Sequence, residues 1–139
     1  MKIYFAGSIR GAKADSESYS KIINHLKEYG QVLTEHVGSD AINESERKNL
    51  TEEEIYNRDL NWLKESDVLI ADISAPSLGV GYEISKAEEL GKKILCIFKK
   101  SQEGKGISAM IKGNKKLLLK EYSEINEALK YIDDFLGKR

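Results

Sequence analysis

The sequence has little of what several classes of protein require. It contains one cysteine, Cys96, and two histidines, His25 and His36, in 139 residues. A single cysteine cannot form a disulfide within the chain, which is typical of a reducing compartment. Cys96 lies in the apolar run ILCIF and is expected to be a buried core thiol. Two separated histidines are too few for a zinc site, so no metal or other cofactor is predicted.

The chain also lacks an excess of charge of either sign. It carries 22 basic and 23 acidic residues and a net charge of −1, which gives no electrostatic basis for binding nucleic acid or an anionic membrane. No apolar run approaches the roughly 20 residues of a membrane span. The N-terminal stretch MKIYFAGSIRG is too short and breaks too early for a signal peptide. A cytoplasmic protein with a single domain over residues 1–139 is therefore expected.

Short apolar runs alternate along the chain with segments of helical spacing. The apolar runs predict strands at Lys2–Ala6, Gln31–Glu35, Asp67–Ile73, Lys93–Phe98 and Lys116–Leu119. The helical spacing predicts helices at Lys13–Tyr29, from Thr51 to about Lys64, at Gly79–Leu90, near Ser108–Lys112 and at Ser123–Leu136. The polar segments Gly38–Asn49 and Ser101–Gly106 are predicted to be loops.

This alternation predicts an α/β fold, in which helices cover both faces of one doubly wound, five-stranded parallel sheet. The continuous apolar run DVLIADI is typical of a strand that is covered on both faces. For five strands the flavodoxin-like, Rossmann-like order 2-1-3-4-5 is expected, with a switch point between strands 1 and 3. Ligands bind at the carboxyl ends of the strands at such a point.

Two glycine-containing loops follow the two strands at this switch point. The first is Gly7-Ser8-Ile9-Arg10-Gly11, and the second, SAPSLGVG, includes Ser77 and Gly79 and enters a helix. Exposed backbone N–H groups and the positive end of a helix favour an anion, and an arginine can bind a phosphate with two parallel hydrogen bonds. The alternative is that the glycines only make tight turns. Together, the two loops favour a phosphate site.

Two carboxylates are predicted to point inward near this loop, and a tyrosine could join them if its hydroxyl reaches the cleft. Asp59 lies on or beside the apolar stripe of its helix, and Glu83 lies on the inward side of the helix that follows the second loop. Tyr4 shares a sheet face with Ala6. Each of the three could instead be a buried group that is satisfied by a cap, an arginine or a hydrogen bond. Two inward carboxylates beside an anion site nevertheless suggest the apparatus of glycosidic bond cleavage.

Five motifs in this chain resemble one enzyme family. They are YFAGSIRG, VLTEHV, DLNWL, PSLGVGYE and ISAMIKG, and their spacing is almost that of the 2′-deoxynucleoside 5′-phosphate N-hydrolases, from Tyr4 to about Gly113. These enzymes are relatives of the nucleoside 2-deoxyribosyltransferases. They cleave deoxynucleoside monophosphates into a free base and 2-deoxyribose 5-phosphate.

The resemblance implies roles for the matching residues. Glu83 would be the nucleophile that forms a glycosyl-enzyme intermediate, and Tyr4 would orient its carboxylate. Asp59 would bind the sugar hydroxyl and assist proton transfer at the leaving base. The residues that would hold the 5′-phosphate are Ser8, Arg10, Ser77 and Gly79, and those that would border the base are Ile9 and His36. The resemblance also implies a homodimer, in which Ser108 and Met110 complete the phosphate site of the partner subunit.

Three alternatives stay open at this point. A deoxyribosyltransferase would share the chemistry up to the covalent intermediate, but such enzymes handle nucleosides without phosphate, and Arg10, Ser8 and Ser77 argue against it. A hydrolase of ribonucleotides such as CMP shares the same scaffold. A nucleotide-binding module without turnover would not need a nucleophile beside the anomeric carbon. The chain departs from the family pattern at Ala6, where the animal members have cysteine, and across Gly38–Thr51, which bears on base preference.

Overall fold

The computed structural model describes residues 1–8, 16–34, 48–101 and 106–137. Its strands are β1 (Lys2–Ala6), β2 (Gln31–Val32), β3 (Val68–Asp72), β4 (Lys93–Lys99) and β5 (Leu118–Tyr122). Its helices are α1 (Ser16–Leu26), α2 (Glu52–Glu65), α3 (Leu78–Glu89), α4 (Ala109–Lys112) and α5 (Ile125–Leu136). Within the described residues, no helix has the length and apolar character needed to cross a membrane.

The strands form one sheet in the order β2-β1-β3-β4-β5, and every neighbouring pair is parallel. The predicted fold class and strand order are confirmed. Tyr4 of β1 stands opposite Leu69 of β3, and Ala6 stands opposite Ala71. The carboxyl ends of β1 and β3 therefore lie side by side at the centre of the sheet, where the winding of the chain changes direction.

Alternating side chains of the strands enter two separate cores. Ile3 and Phe5 of β1 pack with α1 and α5 on one face. Tyr4 and Ala6 pack with α2 and α3 on the other face, as their shared parity predicts. All five residues of β3 are buried, as expected for a strand that is covered on both faces. Cys96 is also fully buried, as predicted.

Local capping fixes where the two helices beside Tyr4 begin. The predicted capping box of α2 is present: the Glu54 amide donates to Thr51 Oγ1 at 3.1 Å, and the Thr51 amide donates to Glu54 Oε1 at 3.0 Å. These bonds lower the pKa of Glu54. At α3, the Ser77 hydroxyl oxygen accepts a hydrogen bond from the Val80 amide at 3.2 Å. Both starts are set by short-range sequence.

Two predicted strands differ from the structure by two residues or more at an end. β2 is shorter than predicted because Thr34 Oγ1 bonds the backbone of Phe5, accepting from its amide at 2.8 Å and donating to its carbonyl at 2.7 Å. β5 begins at Leu118, two residues later than predicted. The Asn114 side chain accepts from the Lys116 amide at 3.0 Å and holds a turn there.

Two other predicted boundaries are also corrected. Helix α1 ends at Leu26 rather than at Tyr29, because the amides of Glu28 and Tyr29 bond to carbonyls three residues back and tighten the last turn. The chain then turns at Gly30, where a Cβ atom would lie 2.1 Å from the Met1 carbonyl oxygen. Of the predicted loop Gly38–Asn49, the described residues 48–49 are helical.

Candidate active site

A tyrosine and a glutamate that are 79 positions apart meet beside the centre of the sheet. The hydroxyl of Tyr4, from β1, donates a hydrogen bond to Oε2 of Glu83, from α3. Tyr4 is buried, and Glu83 is partly buried. Because β1 lies next to the central strand β3 and α3 packs on the Tyr4 face of the sheet, the fold places the Glu83 carboxylate against the Tyr4 hydroxyl.

The surroundings of Glu83 favour its neutral form. Burial raises the pKa of Glu83 most strongly, the Tyr4 hydrogen bond lowers it, and the charge of Asp59 raises it, with a result of about 7. Burial, and then the charges of Glu83 and Asp59, raise the pKa of Tyr4 far above its usual range, so Tyr4 remains a donor. Glu83 is therefore a carboxyl group that ionises near neutral pH.

Asp59 contacts the arginine that precedes it on α2. Nε and Nη2 of Arg58 donate to Oδ1 of Asp59 at 3.1 and 2.9 Å. The Arg58 guanidinium also lies over the ring of Trp62, 4.5 Å from its centroid. Adjacent residues on a helix do not face each other, so Arg58 has to fold back along the helix to reach Asp59.

The carboxylates of Asp59 and Glu83 share a cavity of about 320 Å³ between α2, α3 and β1. The cavity is lined by Tyr4, Tyr56, Asp59, Leu60, Leu63, Gly79, Tyr82 and Glu83. The hydroxyls of Tyr56 and Tyr82 lie 3.1 Å apart and link the two helices at this cavity. All three residues predicted as catalytic, Tyr4, Asp59 and Glu83, are thus brought together, while their roles stay predictions.

The predicted phosphate residues fall on two sides of the start of α3. Gly79 lines the cavity of Glu83, whereas Ser77 lines a second cavity of about 720 Å³. Ser108 and Met110 also line this second cavity and not the first. Leu78 and Met110 line this second cavity and are 96 % and 82 % exposed.

The loop after β1 is described only in its first residues. Gly7 has a packing role, because a Cβ atom there would lie 2.9 Å from ring carbons of Tyr19. Ser8 is buried. Ile9, Arg10, Gly11 and His36, which were predicted to bind phosphate or base, lie outside the described residues.

Sequence reasoning missed several residues that line or border the first cavity. Tyr56, Leu60 and Leu63 share the Asp59 face of α2, and the helical spacing from Tyr56 to Leu63 could have revealed them. Tyr82 directly precedes Glu83 and reaches the same cavity from α3. No spacing rule indicates Arg58, because neighbouring positions on a helix diverge. Among the described residues, no group of three or more His, Cys, Asp or Glu side chains could hold a metal ion.

Comparison with known proteins identifies the family to which the chain belongs. The family model for nucleoside 2-deoxyribosyltransferase matches residues 3–118. The chain belongs to this family. The match spans β1, α2 and α3, which supply every residue that lines the cavity of Glu83.

Two relatives cover nearly all of the chain. A protein of Nematostella vectensis, provisionally named 2′-deoxynucleoside 5′-phosphate N-hydrolase 1, is 48 % identical over 127 residues, which cover 88 % of this chain and 86 % of that protein. The 5-hydroxymethyl-dUMP N-hydrolase of Tetraodon nigroviridis is 38 % identical over 143 residues, which cover 100 % and 99 %. The resemblance seen in the sequence motifs is confirmed.

Two solved structures share the fold. The CMP N-glycosidase BcmB of Clostridium botulinum superposes with a TM-score of 0.73 at 20 % identity, covering 96 % of this chain and 98 % of that one. A 2-deoxyribosyltransferase from Bacillus psychrosaccharolyticus superposes with a TM-score of 0.68 at 19 % identity, covering 98 % and 96 %. At these identities the likeness establishes the shared fold.

Proposed function

We propose that this chain is a hydrolase that cleaves the N-glycosidic bond of 2′-deoxynucleoside 5′-monophosphates and releases the free base and 2-deoxyribose 5-phosphate. The observation that carries the proposal is the carboxylate of Glu83, aimed by Tyr4 into a cavity that it shares with Asp59. Relatives at 38–48 % identity are named as N-hydrolases of deoxynucleotides. Paired carboxylates at one cavity suit an oxocarbenium-like transition state.

The proposed reaction has two displacements at C1′ of the sugar. An oxygen of ionised Glu83 attacks C1′, and the C1′–N bond breaks with its electron pair passing to the base, which takes up a proton from the solvent. Water then attacks C1′ and loses a proton, and the C1′–O bond to Glu83 breaks and restores the carboxylate. The Tyr4 hydrogen bond stabilises the carboxylate as nucleophile and later as leaving group.

The other predicted substrate contacts belong to this proposal. Gly79 and Ser77, at the start of α3, would bind the 5′-phosphate with the help of backbone N–H groups and the positive helix end. The loop residues Gly7, Ser8, Arg10 and Gly11 are proposed for the same phosphate, and Ile9 and His36 for the base. Phosphate binding remote from C1′ orients the sugar for attack by Glu83.

The test is a base-release assay on a matched substrate panel. The wild type and Glu83→Gln are incubated with the four common deoxynucleoside monophosphates, 5-hydroxymethyl-dUMP, GMP, CMP and deoxyguanosine. We expect free base from deoxynucleotides, little from deoxyguanosine and none from the variant. Release only from GMP or CMP would change the substrate class. Base exchange between nucleosides would identify a transferase, and binding without release would contradict the enzyme proposal.

We also propose that the enzyme acts as a homodimer in the cytoplasm. The support is the exposed pair Leu78 and Met110 beside the 720 Å³ cavity, a large apolar exposure for a monomer surface. In the proposed dimer, Ser108 reaches the phosphate site of the partner subunit. Its hydroxyl now accepts from the Met110 amide at 3.2 Å, so Ser108→Asp preserves the helix cap while placing a negative charge beside the phosphate.

Mixing two inactive variants tests whether Ser108 contributes to the site of the partner subunit. Glu83→Gln and Ser108→Asp are each expected to be inactive alone. If Ser108 serves the partner's site, subunit exchange restores up to about a quarter of the wild-type activity, since half of the dimers are mixed and each holds one intact site. No restoration after verified exchange would place Ser108 in the site of its own chain. A concentration-independent monomer mass in light scattering would contradict the dimer.

A further inference from the structure

Arg58 is the described cation that directly contacts a carboxylate of the candidate site. Both of its hydrogen bonds to Asp59 end on the same oxygen, Oδ1, at 2.9 and 3.1 Å. The two side chains are only 22 % and 29 % exposed, so water screens the pair less than it screens a surface ion pair. Such charge-assisted bonds favour the ionised form of the carboxyl group.

The arginine is itself held in place. Trp62 lies one helical turn after Arg58, and its ring supports the guanidinium from below at 4.5 Å from the ring centroid. A planar guanidinium resting on an indole has few alternative positions. Arg58 is therefore held in place beside Asp59.

The other titratable groups around Asp59 favour its proton-bound form or have little effect on its charge. They lie on the three elements that surround the cavity and comprise Tyr56 on α2, Tyr82 and Glu83 on α3, and Tyr4 on β1. Ionised Glu83 repels a second negative charge at Asp59. Among the described residues, Arg58 places a positive charge directly against Asp59, which favours the ionised form of that carboxyl group.

We propose that Arg58 is a positioning residue that keeps Asp59 ionised in the free enzyme, so that Asp59 enters the reaction as a hydrogen-bond acceptor for the sugar rather than as the acid that protonates the base. This inference rests on the proposed function. It revises the part of the predicted role of Asp59 that concerns proton transfer. The negative charge of Asp59 then also stabilises the cationic sugar of the transition state.

The pH dependence of kcat/KM separates the two roles of Asp59. If Asp59 works ionised, the acidic limb that Glu83 sets near pH 7 becomes steeper at lower pH, where Asp59 also takes up a proton. Arg58→Gln makes Asp59 easier to protonate, so this second break moves upward by roughly one pH unit, with a further loss of up to about tenfold below it and little loss at about pH 9. If Asp59 works as an acid, the same variant moves the basic limb upward and gains activity at high pH. A uniform loss at all pH values would indicate a merely structural role.

Two further variants sharpen this test. Arg58→Lys retains the positive charge and is expected to keep most of the wild-type pH profile, though with a weaker rate because it loses the paired hydrogen bonds. Lys64→Gln is the matched control, since it removes the same charge from an exposed position on α2. Its pH profile should match that of the wild type, and a shift as large as that of Arg58→Gln would attribute the effect to net charge alone.

A measurement without substrate separates this inference from the proposed function. The carboxyl carbon of Asp59, assigned with the Asp59→Asn variant, is titrated by ¹³C NMR in the wild type, Arg58→Gln and Lys64→Gln. We expect the titration midpoint of Asp59 to rise by about one pH unit or more in Arg58→Gln only. An unchanged titration midpoint of Asp59 would overturn the proposed role of Arg58, even if the enzyme releases base. A shifted midpoint would support that role even if no base is released, and the lack of base release would then contradict only the proposed function.

Discussion

Two tyrosine–carboxylate pairs lie on opposite faces of the sheet and have different surroundings. Tyr4 donates to Glu83 between β1 and α3, and Tyr29 donates to Asp133 between the end of α1 and α5. Asp133 also contacts Nε2 of His25 at 2.7 Å. Neither Tyr29 nor Asp133 lines either of the two cavities described above.

The difference shows that a hydrogen bond from a tyrosine does not by itself give a carboxylate the surroundings that we propose for the nucleophile. Asp133 has a nitrogen base beside it and joins two helices. Among the described residues, Glu83 forms no ion pair with a lysine, arginine or histidine, and it faces a cavity and a second carboxylate. Burial without a counter-charge makes the ionised form costly, and a costly carboxylate is a better nucleophile toward a cationic sugar.

Replacing each carboxylate, Glu83 or Asp133, by its amide should give the largest difference between the two pairs, and the difference should appear in turnover. Glu83→Gln is expected to reduce base release by about 10³-fold or more, because a neutral amide replaces the carboxylate nucleophile. The matched change Asp133→Asn should leave turnover within about threefold, since Asp133 lines neither of the two described cavities. Single-turnover kinetics at saturating deoxynucleotide measure both. Comparable losses in the two variants would mean that Glu83 is not the nucleophile.

Removing each tyrosine hydroxyl should give a smaller contrast. Tyr4→Phe loses a hydrogen bond to a charged group, worth about 1.5–3 kcal/mol, and should lower kcat by roughly 10- to 100-fold. Because this bond lowers the pKa of Glu83, its loss should also move the acidic limb of kcat/KM above about pH 7. Tyr29→Phe is the control, and its pH profile should be unchanged. A wild-type profile in Tyr4→Phe would contradict the orienting role.

Glu83→Gln and Asp133→Asn should change the free energy of unfolding in opposite directions. The folded-state pKa of Glu83, about 7, lies above its ordinary 4.5, so the free energy of unfolding falls as pH rises between these values. Glu83→Gln removes this penalty and should stabilise the protein at about pH 8 by on the order of 2 kcal/mol, with little effect near pH 4.

Asp133→Asn should instead destabilise the protein at about pH 8, by roughly 1–2 kcal/mol, because it weakens the bonds from Tyr29 and His25. Urea unfolding at the two pH values measures both variants. Destabilisation by Glu83→Gln at about pH 8 would show that its ionised form is not penalised in the fold.

The sequence predicts the fold well because its signals are local or periodic. The buried run of β3, the capping box at Thr51 and the parity of Tyr4 with Ala6 each depend on a few neighbouring residues. The end of β2 could not be predicted, because the Thr34 hydroxyl bonds Phe5 from 29 positions away. The start of β5 was predicted too early because the Asn114 side chain holds Lys116 in a turn, and the residues after Asn114 have the composition of a strand.

The candidate site is predictable only in part, because some of its contacts join side chains that local spacing does not pair. The inward faces of Asp59 and Glu83 follow from helical spacing, and the motif resemblance adds Tyr4 as their partner. The Tyr56–Tyr82 contact joins two helices through side chains that no spacing rule pairs. The contact of Arg58 with Asp59 depends on the side chain folding back over Trp62, which only coordinates reveal.

The buried thiol of Cys96 makes local unfolding of this protein measurable by chemical labelling. It is the single thiol of the chain, it lies on β4 in the core behind α3, and burial raises its pKa to about 12. A thiol reagent can therefore react only after β4 loses its cover. The rate of labelling reports how often the sheet opens, with no added probe, and a nucleotide that binds the folded state should slow it.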